Sequence, residues 1–231
     1  MPEPDGCSCV DESYQNDCDP VPGGVQVDPT GTSGFGSSAC RLVDGNSNEY
    51  MATCAHIFDA CNDDISNESL YRPKESYDAI GTVHEVDESL DFVAVDNSGP
   101  KDVTDTIVDT GGLEAKGRVT EQGMIDAMDD GTTIHKRGKQ TGATEGTIKD
   151  ASAKGGKYMS CNDTVTEGWA TYYICHEGGD SGGVYYIKKY DHTNNEYYAA
   201  IAGIHGAGWN CDESIGAKAE TIYNKYGFYW T

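Results

Sequence analysis

Basic residues are scarce in this 231-residue chain: 16 Lys plus Arg stand against 39 Asp plus Glu, a formal net charge of −23. A surface of that sign repels phosphate backbones and anionic headgroups, which argues against nucleic acid or charged membranes as partners. Long apolar runs are also missing. No stretch approaches the roughly 18 apolar residues that a spanning helix needs. Residues 1–20 hold neither the basic nor the apolar segment of a signal peptide. The chain is therefore read as a mature or trimmed secreted protein or, alternatively, as one kept in the cytoplasm of a halophile. Phe is rare at 4 residues, whereas Tyr (15) and Gly (29) are plentiful, a balance that suits half-buried strands joined by tight turns. The acidic residues are interleaved with apolar ones along the whole chain rather than gathered in a tail. Such a chain repels itself at low salt, because the screening length is about 10 Å at 0.1 M and shrinks to about 3 Å at 1 M. A high-salt source is the expectation.

Nine cysteines (Cys7, Cys9, Cys18, Cys40, Cys54, Cys61, Cys161, Cys175 and Cys211) suggest an oxidising compartment, with several disulfides and one thiol left over. Cys7-x-Cys9 with Cys18 fits no strong zinc spacing, so neither a metal nor a cofactor is expected. Residues 1–30 lack periodicity and read as an irregular, Cys-containing arm. Short β-type runs then recur: Arg41–Val43 and Glu49–Ala52 around an Asp-Gly-Asn turn, then Asp91–Val95, Thr132–His135, Gly146–Ile148, Ala170–Cys175, Gly183–Lys188 and Tyr197–Ile204. One late helix is expected over Ala217–Tyr226, closed by Gly227. Many short strands with Gly-rich turns indicate an all-β protein of barrels or sandwiches.

The strongest local signal is Gly178-Gly179-Asp180-Ser181-Gly182-Gly183. A serine hydroxyl becomes a nucleophile when a base takes its proton and the backbone presents its oxygen in the open. Small neighbours allow the sharp turn, and the N–H groups of Gly179 and Ser181 can converge on an oxyanion. Of the six histidines, His56 in Thr53-Cys54-Ala55-His56 stands apart because it follows a strand and lies far upstream of the serine. Asp91 opens Asp91-Phe92-Val93-Ala94-Val95, a carboxylate at the edge of a buried strand that an imidazole N–H would satisfy. The order His, Asp, Ser is one of several convergent triad orders.

These motifs resemble the chymotrypsin-type serine proteases, and within them the bacterial streptogrisin-like branch, over roughly residues 33–231. Thr53–His56 is similar to that branch's Thr-Ala-Gly-His, and Cys175–Ser181 to its Cys-Ala-Glu-Pro-Gly-Asp-Ser. His205–Cys211 is similar to its Ser-Gly-Gly-Ser-Gly-Asn-Cys, and Lys136–Gly142 with Gly146-Thr147-Ile148 to its basic turn before a strand. The resemblance implies two antiparallel six-stranded β-barrels with a C-terminal helix: an N-terminal barrel over 31–110, and a C-terminal barrel plus helix over 111–231. It implies a catalytic triad of His56, Asp91 and Ser181 in the cleft, and an oxyanion hole from Gly179 and Ser181. It also implies a substrate edge with Glu177, His205, Gly206 and Ala207, a Cys175–Cys211 disulfide, and a buried Asp180 paired to Lys136 or, failing that, Arg137.

Several positions depart from the branch's pattern. His205 stands where a Ser would donate to Asp91, Ala207 replaces a Gly of the substrate edge, and Val184 replaces a Pro. For the cysteines near the histidine, Cys40–Cys54 and Cys40–Cys61 pairings both remain open. The pocket residues favour an uncharged apolar side chain before the cut, or a basic one if Glu177 dominates the rim. The function implied is a monomeric serine endopeptidase acting on protein or peptide. The alternatives are a catalytically silent peptide-binding member, motivated by His205 and Ala207, and an intracellular regulatory protease with one target.

Overall fold

The computed structural model describes residues 17–32, 34–60, 64–154, 167–210 and 212–231. Cys7, Cys9, Cys61, Cys161 and Cys211 lie outside the described residues, and with them the Cys7-x-Cys9 zinc pattern. The first half of the chain forms strands β1 (Val21–Gly23), β2 (Gln26–Pro29), β3 (Gly36–Ser37), β4 (Arg41–Val43), β5 (Glu49–Thr53), β6 (Ser69–Tyr71), β7 (Ala79–Asp87), β8 (Phe92–Asp96) and β9 (Val103–Ile107). The second half forms β10 (Ala115–Arg118), helix α1 (Glu121–Asp129), β11 (Ile134–Gly138), β12 (Gly142–Asp150), β13 (Trp169–Tyr173), β14 (Val184–Asp191), β15 (Glu196–Asn210), β16 (Glu213–Lys218) and helix α2 (Ala219–Tyr226).

The strands make two seven-stranded sheets. The first runs β3-β2-β6-β7-β8-β5-β4 and stays open as a half-barrel. The second runs β10-β15-β14-β11-β12-β13-β16, and β15 also pairs with β16, so six of its strands close into a barrel. Pairings within both sheets are antiparallel except β10 on β15, and β1 pairs with β9 in parallel apart from them. The mostly-β, two-barrel architecture with a C-terminal helix is as expected; the open first sheet is the variation. The stretch read as an irregular arm contains β1 and β2 in its described part, and β2 joins the first sheet through Asp28 opposite Tyr71.

The strand patterns follow burial. Phe92–Val95 of β8 are all buried because β5 and β7 flank the strand on both sides. Helix α1 was not anticipated. Gly123 weakens its sequence signal, yet Thr120 caps it by accepting from Gly123 N at 3.1 Å. Helix α2 starts at Ala219 rather than Ala217, since Ala217 and Lys218 still pair with Ile204 and Gly203 in the barrel. Gly227 closes it at φ +74°.

The end of the chain then returns to the first sheet. Val43 and Tyr229 exchange backbone hydrogen bonds of 2.9 and 3.0 Å, and Phe228 packs 5.0 Å from Tyr50. Asp87 accepts from Tyr226 at 2.7 Å and pairs with Lys225. Burying a Phe side chain contributes about 1.5–3 kcal/mol, so this tail is a substantial tie between the two sheets. At the cleft, Ser37 N donates to Ser181 O at 2.6 Å and Ser37 Oγ to Gly179 O at 2.8 Å.

Candidate active site

Each central side chain is delivered by a local break in a strand. After β5, a single 3-10 turn over His56–Phe58 lifts the imidazole out of the sheet; Asp59, left-handed at φ +56°, closes it. Asp91 sits just before β8 at φ +51°, a conformation Asp tolerates better than most residues. The preceding turn is pinned by Asp87, whose Oδ1 accepts from Ser89 N and Leu90 N. Ser181 lies in consecutive turns, in which Asp180 N donates to Glu177 O and Gly183 N to Asp180 O. Glycine is needed at two points here. Gly179 has φ +107°, and a Cβ on Gly182 would come within 2.1 Å of Ser37 O.

The structure brings His56, Asp91 and Ser181 together. Asp91 accepts from His56 N at 2.8 Å through Oδ1, and lies 2.6 Å from His56 Nδ1 through Oδ2. His56 Nε2 is 2.9 Å from Ser181 Oγ. Ser181 Oγ also lies 3.2 Å from the Gly206 carbonyl oxygen. Burial works against a charged imidazole, but the Asp91 carboxylate, through its charge and its hydrogen bond, outweighs it and raises His56 above the ordinary imidazole value. Within the serine turn, the amides of Asp180, Gly182 and Gly183 donate to backbone carbonyls.

Asp180 is fully buried beside Ser181 and paired to Lys136, also fully buried. Its Oδ1 accepts from Gln140 N and Thr141 N at 2.9 and 3.0 Å. Its Oδ2 accepts from Lys136, from Thr141 Oγ1 at 2.7 Å and from Glu177 N at 3.2 Å. Burial alone would raise this carboxyl, yet the Lys136 ammonium and these donors bring it down to about 2. Arg137, the fallback partner, points the other way and pairs with Asp109 at 2.9 Å.

Two expectations are corrected. His205 does not face Asp91. Its N and O pair with Gly183 and Gly182, which turns the ring under the second barrel to Tyr185 OH, 2.6 Å from Nδ1. Tyr185 OH continues to Ser214 Oγ at 2.7 Å. Burial and the Lys136 ammonium push His205 well below the ordinary imidazole range. Gly206, with no side chain to donate, takes the place beside Ser181. The space next to Asp91 holds the Cys54 thiol instead, whose Sγ lies with His56 and Asp91 in a group spanning 4.8 Å and 3.0 Å from the His205 carbonyl. Second, Cys40 and Cys54 are buried free thiols, so they are not bridged, and Cys18 is a third free thiol. Ala207 is half-buried and packs against the core.

Glu177 contributes its backbone to the Asp180 network and is half-buried. Cys175 is disulfide-bonded; Cys211 lies outside the described residues. Cys54, His56 and Asp91 are the described grouping of possible metal-ligand atoms. Burial and the Asp91 charge drive the Cys54 thiol well up, away from the thiolate a metal needs, and Asp91 already occupies His56 Nδ1. The sequence reading missed Tyr185, Ser214 and Thr141. The His176 ring lies against Gly208, 5.5 Å from the His205 ring.

No protein-family model matches the chain, and no curated protein matches it by sequence. Solved structures do. A Nocardiopsis protease superposes with TM-score 0.68 at 15% identity, covering 93% of this chain and all of its own. A serine protease described as glutamic acid specific, using a histidine triad in substrate binding, gives 0.67 at 19%, covering 91% of this chain and all of its own. Thermobifida fusca protease A gives 0.66 at 18%, covering 91% and 98%. At these identities the likeness establishes the fold: it is that of the chymotrypsin-like serine proteases.

Proposed function

We propose that the protein is a serine endopeptidase that cleaves peptide bonds through an acyl-enzyme on Ser181. The observation that carries this reading is the continuous contact from Asp91 through both ring nitrogens of His56 to Ser181 Oγ. His56 takes the hydroxyl proton as Ser181 attacks and returns it to the leaving amine, while Asp91 orients the ring and stabilises its charged form. The N–H groups of Gly179 and Ser181 are assigned to the oxyanion, a role in which one lost donor costs about 10²–10³ in rate. A Cys175–Cys211 bridge beside the turn, a monomeric state and a secreted, high-salt setting belong to the same proposal. Fluorophosphonate labelling tests it. Ser181 should be labelled in the native protein and not in Ser181→Ala; absence of labelling would favour a silent peptide-binding protein.

On the acyl side of the cut, the residues favour an acidic side chain, in place of the apolar or basic one read from the sequence. His176 and His205 stand beside Gly206 and Gly208, and the run Ser214–Tyr185–His205 gives the buried ring a hydroxyl partner at Nδ1. An anion next to His205 favours the imidazolium, with Nδ1–H donating to Tyr185 and Nε2–H left for the substrate carboxylate. The histidine triad described for the glutamic acid-specific neighbour is consistent with this assignment. Peptides differing only before the cut should be cleaved at least about tenfold faster with Glu than with Leu or Lys, a gap of ~1.4 kcal/mol. A preference for Leu or Lys would overturn the assignment.

A further inference from the structure

The leaving amine must receive its proton from His56, so the residue that carries it has to lie on the imidazole side of Ser181. A cavity of about 710 Å³ opens there, with His56, Ser181 and Gly179 in its wall, and none of residues 204–208 or 175–178. Its other walls come from the first sheet and the turn after the histidine, including Thr30, Thr32, Phe35, Asp59 and Glu68. Phe35 presses on the serine turn, since a Cβ on Gly179 would fall 2.7 Å from its ring. The cavity therefore belongs to the half of the substrate released first.

Its charge is one-sided. Asp59 and Glu68 line it, and among the described residues no Lys or Arg does. The sequence around it deepens the field: Arg41 is the one Lys or Arg among the first 71 residues, which hold thirteen Asp plus Glu. Arg41 is itself engaged by Glu49 and Asp105. Arg72, the next cation, is buried and bonded to the Gln26 carbonyl. Lys139, outside the wall, sits 4.1 Å from the centre of the Phe35 ring and donates to Gln140. A cleft lined by one sign of charge concentrates the opposite sign, and a long cationic stem could lie along Phe35 with its head at the carboxylates.

We infer that this cavity selects a basic residue, Lys or Arg, immediately after the scissile bond, with Asp59 and Glu68 as the specificity-determining residues. The inference rests on the peptidase reading, and one experiment separates the two. An ester substrate loads Ser181. Added amino-acid amides then compete with water for the acyl-enzyme: the ester bond to Ser181 Oγ breaks, an amide bond to the incoming nitrogen forms, and the amine proton passes through His56 to Ser181 Oγ.

Partitioning is read as the ratio of amide to acid product at low salt. Argininamide should capture the acyl group at least about tenfold better than alaninamide, and glutamic acid α-amide, which keeps its side-chain carboxylate, worse than either. Glu68→Gln with Asp59→Asn should bring the argininamide advantage over alaninamide down to about twofold or less, a ratio read within the variant whatever its acylation rate. Equal capture by all three amides, or an arginine advantage that survives the double substitution, overturns the inference and leaves the peptidase reading standing. If no acyl-enzyme forms, the peptidase reading falls and takes this inference with it.

Discussion

Two buried carboxylates bracket the nucleophile, and the protein treats them in opposite ways. Asp180 and Lys136 are both fully buried, and five donors converge on the Asp180 oxygens. Asp91 is almost as buried at 2% side-chain exposure, but its partner His56 is 42% exposed and donates to both of its carboxylate oxygens. The Asp180 pair is saturated and closed. Neither member can exchange a proton without leaving a charge stranded, which suits an anchor for the backbone on either side of Ser181. The Asp91 pair is closed at one end and open at the other, so the proton can move where substrate arrives. A charge pair does chemistry only if one partner stays reachable and titrates in the working range.

Removing each pair in turn should separate these roles. The largest effect is expected for Asp91→Asn, a loss of about 10⁴ in kcat with the chain still folded, checked by steady-state kinetics beside a thermal melt. The pH profile sharpens it. His56 must be neutral to act as base, so kcat/KM should rise with pH through a midpoint above 6.5, the ordinary imidazole value, because Asp91 raises it. In Asp91→Asn only burial remains, and burial lowers an imidazole. The midpoint should drop below 6.5; an unmoved midpoint would mean Asp91 is not what holds it up.

Lys136→Ala should act on the fold instead. Stranding a buried charge costs about 3–5 kcal/mol, so the melt should fall by many degrees and activity with it. The wild-type acid limit gives the sign. The Asp180 carboxyl is depressed from 3.8 to about 2, so its contribution is fully present above 3.8 and disappears as pH falls through about 2. Without Lys136 that loss should begin at higher pH, as acid unfolding followed by circular dichroism would show. Arg137→Ala is the control: it removes the bridge to Asp109 and leaves the Lys136–Asp180 pair in place, so it should not move the acid limit set by Asp180.

The contrast also shows what could be read from the chain. His56, Asp91 and Ser181 were legible because each sits in a short run with its own local logic: a residue after a strand, a carboxylate at a strand edge, a serine among glycines. The choice of Lys136 over Arg137 depends on alternation along β11, where neighbours point to opposite faces, and composition alone left it open. His205 was misassigned by one position. A register shift between His205 and Ala207 turns the ring away from Asp91, and nothing in the local residue types announces a bulge. The pairing of Cys40 and Cys54 was equally silent, since spacing along a chain says nothing of whether two sulfurs point at one another. Thr141, Tyr185 and Ser214 matter only through partners distant in sequence or hidden on the inner face of a barrel.

Thr141 offers the finest test of the comparison. Its hydroxyl bridges the closed pair, accepting from Lys136 Nζ at 2.9 Å and donating to Asp180 Oδ2 at 2.7 Å. Valine keeps the shape and removes both bonds, while the ammonium and carboxylate remain to neutralise one another. The expected cost is therefore that of partly unsatisfied polar groups, about 1–3 kcal/mol, well short of the Lys136 substitution. The pH midpoint set by His56 should not move, because Thr141 touches no part of the Asp91 pair. Should Thr141→Val instead shift that midpoint by about one unit, the two carboxylates would be coupled through the serine turn, and the division between a static pair and a working pair would have to be abandoned.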